Sequence, residues 1–147
     1  MTIIAIDPGI SFAYAVCVDG KIKDYGMIET DPKEQLVYRL AEIDLKLKDI
    51  LKDYQPKKVL LEEQCTTFDR KSHGRTVNRK ALQFYSSAWG QINATISQWG
   101  VPCEYVRVHK HKLPKKLAQK IACQHLGLKR INHNVAEAIT WALGGKA

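Results

Sequence analysis

The chain has 147 residues, 45% of them hydrophobic and 26% charged, with a formal net charge of +8. That length suits one buried core and a single domain, 1–147, and no apolar run is long enough to cross a bilayer. The cationic excess favours a polyanionic partner, most commonly nucleic acid.

The chain opens on "MTIIAIDPGISF", which reaches Asp7 after only a short apolar run and so does not read as a secretory leader. "TIIAID" is a β-branched run closed by Pro8-Gly9, the pattern of a strand and a sharp turn. "FAYAVCVDGKIKDYGMIET" gives two strand-like runs about Asp19-Gly20, a hairpin signal, so the first three strands are expected to be antiparallel neighbours. From Asp31 the period changes. Leu36, Val37, Leu40, Ile43, Leu47, Ile50, Leu51 and Tyr54 recur at helical spacing, with Asp31 as the expected cap and Pro32 in the first turn.

"QPKKVLLEEQ" predicts a buried strand from Val59 to about Glu62. A second long helix is expected from about Arg75 to Trp99, with Leu82, Tyr85, Trp89, Ile92 and Ile96 inward and Gly90 marking a close helix contact. "VPCEYVRV" is a fifth strand, "LPKKLAQKIACQHLG" a helix stopped at Gly127, and "INHNVAEAITWAL" a final helix. Cys17, Cys65, Cys103 and Cys123 are scattered without a CxxC pair, which points to reduced, mostly buried thiols and a cytoplasmic setting. The order β-β-β-α-β-α-β-α-α predicts an α/β fold: a three-strand antiparallel meander plus two parallel strands, with helices on both faces.

Asp7 and Glu62 both end strands. If those strands are parallel neighbours, the two carboxylates emerge at the edge where ligands gather in open α/β sheets. Two anions held together call for cations, and an all-oxygen ligand set suits Mg²⁺ or Mn²⁺. Glu63 points to the face opposite Glu62; Glu62 is the preferred ligand and Glu63 the fallback. The cations fall in two acid-free clusters: Arg70, Lys71, Arg75, Arg79 and Lys80, then Arg107, Lys110, Lys112, Lys115, Lys116 and Lys120. Interleaved with His73, His109 and His111, they suit contact with a phosphate backbone.

"IAIDPGISFAYAV", "VLLEEQ" and the carboxylate within "NVAEAITWAL" together resemble the RuvC-type Holliday junction resolvases of the RNase H-like nuclease superfamily. The element order matches over nearly the whole chain, but the specific part is those three short motifs. The resemblance implies an RNase H-like fold and paired, metal-dependent nicks in four-way DNA junctions, leaving 5′-phosphate and 3′-hydroxyl ends. It implies two Mg²⁺ ions, replaceable by Mn²⁺, with Asp7 shared, Glu62 on one ion, and Glu137 with Asn134 or His133 on the other. Phe68 would be the aromatic that wedges into the junction, the arginines and lysines above would bind phosphates, and Lys110, Lys112 or Lys116 would face the transition state. A substrate with two equivalent scissile strands implies a twofold homodimer, with Tyr85 and Trp89 the first place to look for its interface.

The family pattern pairs two ligands three residues apart on the last helix, and Asn134 departs from it by carrying no charge. Three readings stay open: Asn134 as a native neutral ligand, His133 in its place, or an inactivating replacement. A helix-capping role for Asn134 is a fourth. The alternatives to a resolvase are a catalytically silent junction-binding protein and another RNase H-like nuclease acting on branched DNA or hybrids.

Overall fold

Five strands and four helices follow one another in the expected order in the computed structural model, which describes residues 1–64, 79–107 and 113–144. They are β1 (Thr2–Asp7), β2 (Phe12–Val18), β3 (Lys21–Ile28), α1 (Leu36–Tyr54), β4 (Lys58–Glu62), α2 (Arg79–Trp99), β5 (Cys103–Val106), α3 (Lys115–Leu126) and α4 (His133–Ala142). The strands form one sheet in the order β3-β2-β1-β4-β5. β1, β2 and β3 pair antiparallel, and β1–β4 and β4–β5 pair parallel. The β2–β3 hairpin turns on Asp19 and Gly20, both at positive φ (50° and 79°), as a two-residue turn matched to the twist of its strands requires.

Alternation along the strands sorts large from small side chains. Ile4, Ile6, Phe12, Val16, Val59 and Leu61 share one fully buried cluster with Ile43 and Leu47 of α1 and Ala88, Ile92 and Ile96 of α2. Ala5, Ala13, Ala15, Cys17 and Leu60 share the other with Ala118 and Ala122 of α3 and Val135, Ala136 and Ile139 of α4. Each fully buried Ile, Leu or Phe contributes about 1.5–3 kcal/mol, so the first face carries most of the burial energy. The alanines of the second face let α4 lie close over β1 and β2. Helices thus cover both faces.

Four local expectations need correction. Asp31 does not cap α1: its carboxylate accepts the N–H of Lys33 (2.9 Å) and its carbonyl that of Glu34 (3.1 Å), closing a turn of its own. The helix therefore starts at Leu36, after Gln35. Val37 is 62% exposed and leaves the apolar stripe, whereas Arg39 is buried. A Cβ on Gly90 would meet nothing within 4 Å, so that glycine marks no close contact. Of the cysteines, Cys17 is buried, Cys103 and Cys123 are only half-buried, and Cys65 lies outside the described residues. The expected start of α2 at Arg75 also lies outside them.

Polar groups inside the α1/α2 layer are satisfied. Thr95, fully buried, donates to Asp44 Oδ1 at 2.6 Å, and Lys48 reaches Asp44 Oδ2 at 2.8 Å. Buried Arg39 donates through Nε to Thr30 Oγ1 (2.8 Å), and Thr30 donates to the carbonyl of Ile10 (2.9 Å). This chain of bonds ties the turn after β1 to the start of α1.

Candidate metal centre

The register of β1 and β4 places the first two acids. Ile6 pairs with Leu61, so one step further Asp7 and Glu62 stand side by side where the parallel strands end. Their faces follow from alternation. Ala5 and Leu60 belong to the cluster under α4, hence Asp7 and Glu62, two residues on, turn to the same side. Glu63 shares its face with Val59 and Leu61, on the α1/α2 side, and its N–H donates to the carbonyl of Val106.

The third acid comes from α4. Asn132 caps this helix: its side chain accepts the N–H of Asn134 at 2.9 Å. The capping expectation for Asn134 is thereby corrected; the cap is two residues earlier. Asn134 lies one turn before Glu137, on the same side of the helix. Glu137 is 3% exposed and Glu62 8%, while Asp7 is half-buried.

Each of Asp7, Glu62 and Glu137 offers a carboxylate oxygen, and these oxygens all lie within 4.8 Å of one another. Neither Glu63 nor His133 belongs to the group. At that spacing and an effective dielectric of about 20, each pair of carboxylates repels by roughly 3 kcal/mol. Such a cluster on the rigid ends of two strands and a helix fits a hard divalent cation, which takes oxygen donors and offsets the repulsion. The Glu62 strand end is fixed further by Trp89, whose Nε1–H donates to the Glu62 carbonyl at 2.9 Å. Trp89 packs on the core and its ring lies 5.9 Å from that of Tyr105. It is a support of the site, a role that helical spacing alone could not distinguish from a surface for a partner.

Among the phosphate-binding candidates, Arg79 and Lys80 open α2, Arg107 follows β5, and Lys115 and Lys116 open α3; all are exposed. Phe68, Arg70, Lys71, Arg75, Lys110 and Lys112 lie outside the described residues, as do His73, His109 and His111. Trp89 meets the sheet at its carboxylate edge, and Arg79 and Lys80 open the same helix. Lys80 Nζ and Arg39 Cζ lie 5.5 and 5.7 Å from the Phe84 ring, two cations on one aromatic and both at this end of the fold.

No family model matches the chain. A curated crossover junction endodeoxyribonuclease RuvC from Alkaliphilus metalliredigens is 39% identical over 87 residues, 52% of this chain and 53% of the relative. Over that stretch the chain is similar to RuvC. Its fold agrees with that of Thermus thermophilus RuvC in complex with Holliday junction substrate, at TM-score 0.74 and 21% identity, covering 97% of this chain and 90% of the other. A further structure of Thermus thermophilus RuvC gives 0.71 and 23%, covering 99% and 98%. A fowlpox virus resolvase in complex with Holliday junction DNA gives 0.57 and 15%, covering 98% and 95%. The RuvC-like, RNase H-like architecture expected from the three motifs is the one observed, although the sequence match spans about half the length of the curated relative. No described helix is long and apolar enough to cross a membrane.

Proposed function

We propose that this RuvC-like chain is a structure-selective DNA endonuclease that resolves four-way junctions by paired, divalent-metal-dependent nicks. The observation that carries the reading is the trio Asp7, Glu62 and Glu137, brought within 4.8 Å at the edge of a RuvC-like sheet. Asp7 would be shared between two Mg²⁺ sites, with Glu62 completing one and Glu137 the other, Asn134 adding a neutral amide oxygen and His133 standing as the substitute. When bound, such a pair of ions activates water and stabilises the departing 3′ oxygen, giving 5′-phosphate and 3′-hydroxyl ends. Mn²⁺ would serve in place of Mg²⁺.

The protein's own share is positional. Two strand ends and one helix hold the carboxylates, and the exposed cations Arg79, Lys80, Arg107, Lys115 and Lys116 would grip the phosphate backbone. Arg70, Lys71, Arg75, Lys110 and Lys112 extend that grip in this reading, and Phe68 is the wedge. Two scissile strands require two such sites, hence a twofold homodimer. The work would be done in the cytoplasm of a bacterium or of a phage's host.

A second reading is favoured by one observation: Asn134, beside Glu137, supplies no charge. A junction-binding protein with little or no cleavage would follow if that loss weakens metal binding enough. Both readings meet in one assay. The chain and its Asn134→Asp variant are incubated with a labelled four-way junction, a flap, a duplex and an RNA–DNA hybrid, in Mg²⁺ and in Mn²⁺. Symmetric paired nicks by both proteins on the junction are the expected result. Cutting by the aspartate variant alone would identify a disabled site, binding without cutting by either would establish the silent binder, and preference for hybrid or flap would place the chain with other nucleases of this fold.

A further inference from the structure

A second cationic feature lies away from the carboxylates. Between α3 and the connection to α4 runs an open groove of about 640 Å³. Lys116 and Lys120 line one wall and Lys129 and Arg130 the other; no acidic residue lines it among the described residues. All four cations are exposed, and none has a carboxylate within ion-pair reach among the described residues.

These cations repel one another weakly, and an anionic partner relieves that repulsion. Lys116 and Lys120 are four apart on one helix face, a like-charge pair that destabilises a helix by about 0.2–0.5 kcal/mol. Two more cations face them. The opposing wall is held in shape: Gly127 at φ 68° ends α3, the N–H of Leu128 donates to the carbonyl of Cys123, and Gln119 Nε2 donates to the carbonyl of Ile131 at 3.0 Å. A fixed loop presents its charges with little ordering left to lose on binding. That loop leads straight into Asn132, the cap of the helix that carries Glu137.

We infer that this groove is the track for the phosphodiester backbone of a duplex arm leaving the cleavage site, gripped from two sides by Lys116 and Lys120 against Lys129 and Arg130. The inference rests on the nuclease reading above and extends it: the metal centre holds the scissile phosphate, and the groove measures the arm beyond it. Arm length thereby becomes a determinant of affinity.

The test uses the full chain with Lys129→Glu, Arg130→Glu and the double variant, and with Lys129→Arg and Arg130→Lys as charge-preserving controls. Binding and nicking are measured on junctions with short arms and on junctions with each arm longer by about one helical turn, roughly 10 bp, across a salt series. The glutamate variants are expected to bind long-armed junctions about tenfold more weakly, with a salt slope reduced by about 0.9 per lost contact. They should match the parent on short-armed junctions and in melting temperature, and the charge-preserving variants should behave as the parent. If the parent binds junctions and the glutamate variants equal it on long arms, or lose equally on both lengths, the groove assignment is overturned while the nuclease reading stands. If the parent binds no junction of either length, both fall together.

Discussion

Glu62 and Glu63 are adjacent, chemically identical, and separated by the pleat of one strand. Their sequence says that they face opposite ways; it does not say which way holds Asp7. The decision comes from packing, because Leu60 belongs to the cluster shared with α3 and α4 and Leu61 to that shared with α1 and α2. Glu62→Gln should therefore lower single-turnover junction nicking by about a hundredfold or more, the scale on which loss of one electrostatic contact to a transition state is felt. Glu63→Gln should remain within a few-fold of the parent. Equal losses in the two variants would remove Glu62 from its assigned role. At this scale Asp7 and Glu137 were legible from motif resemblance, while the cap was not: "NHN" offers Asn132 and Asn134 two residues apart, and only the helix start chooses between them.

At the scale of elements, the strands were readable because β-branched runs ended in strong turn signals, and α3 because Gly127 stops it at positive φ. The start of α1 was not. Asp31 and Pro32 carry the composition of a helix start, yet the carboxylate bonds within its own turn, and composition cannot rank the two uses. The joint that replaces it is the chain Arg39–Thr30–Ile10. Thr30→Val would strand the Arg39 Nε–H and the Ile10 carbonyl in a buried place, a loss of about 1–3 kcal/mol. A urea titration of the variant reads this as a lower midpoint with an unchanged slope; an unchanged midpoint would show that the joint is ornamental.

A second joint links β2, β3 and α1. The hydroxyls of Tyr14 and Tyr54 both donate to Asp24 Oδ2, at 3.2 and 2.8 Å. Burial, then the charge of Asp24 and its hydrogen bond, push the Tyr14 phenol up to about 12. In the unfolded chain it titrates near 10. Between those values the folded state keeps a proton that the unfolded state has lost, so stability falls as pH rises from about 10 to about 12. Tyr14→Phe should shallow that fall. An identical alkaline slope in the variant would mean that Tyr14 contributes nothing to it.

For the whole molecule, the two faces of the sheet divide the labour between stability and chemistry. The large residues against α1 and α2 hold the domain together, while the alanine face keeps α4 near enough for Glu137 to meet Asp7 and Glu62. A cluster of carboxylates is a local liability that a cation relieves. Melting curves in chelator and in Mg²⁺ should therefore differ: at a hundredfold excess over its Kd a ligand adds about 2.7 kcal/mol, a rise of about 5–10 °C for a domain of this size. Glu137→Gln should melt above the parent in chelator and respond little to the metal. A parent that ignores Mg²⁺ would speak against the metal centre. The layer order was open to sequence reasoning, because alternating elements permit few topologies; the spacing between acids was not, since it is set by which alanines lie beneath which helix.

The site draws Asp7 from the first strand and Glu137 from the last helix, with Glu62 between them. On the ribosome, where chains emerge at about 5–20 residues per second, the early strands are available long before α4. No chain that stops short of Glu137 can assemble the three carboxylates. The cluster proposed to bind the metal thus forms only once α4 has emerged, and on that proposal a chain interrupted before residue 137 would carry much of the basic surface without one of its three carboxylates.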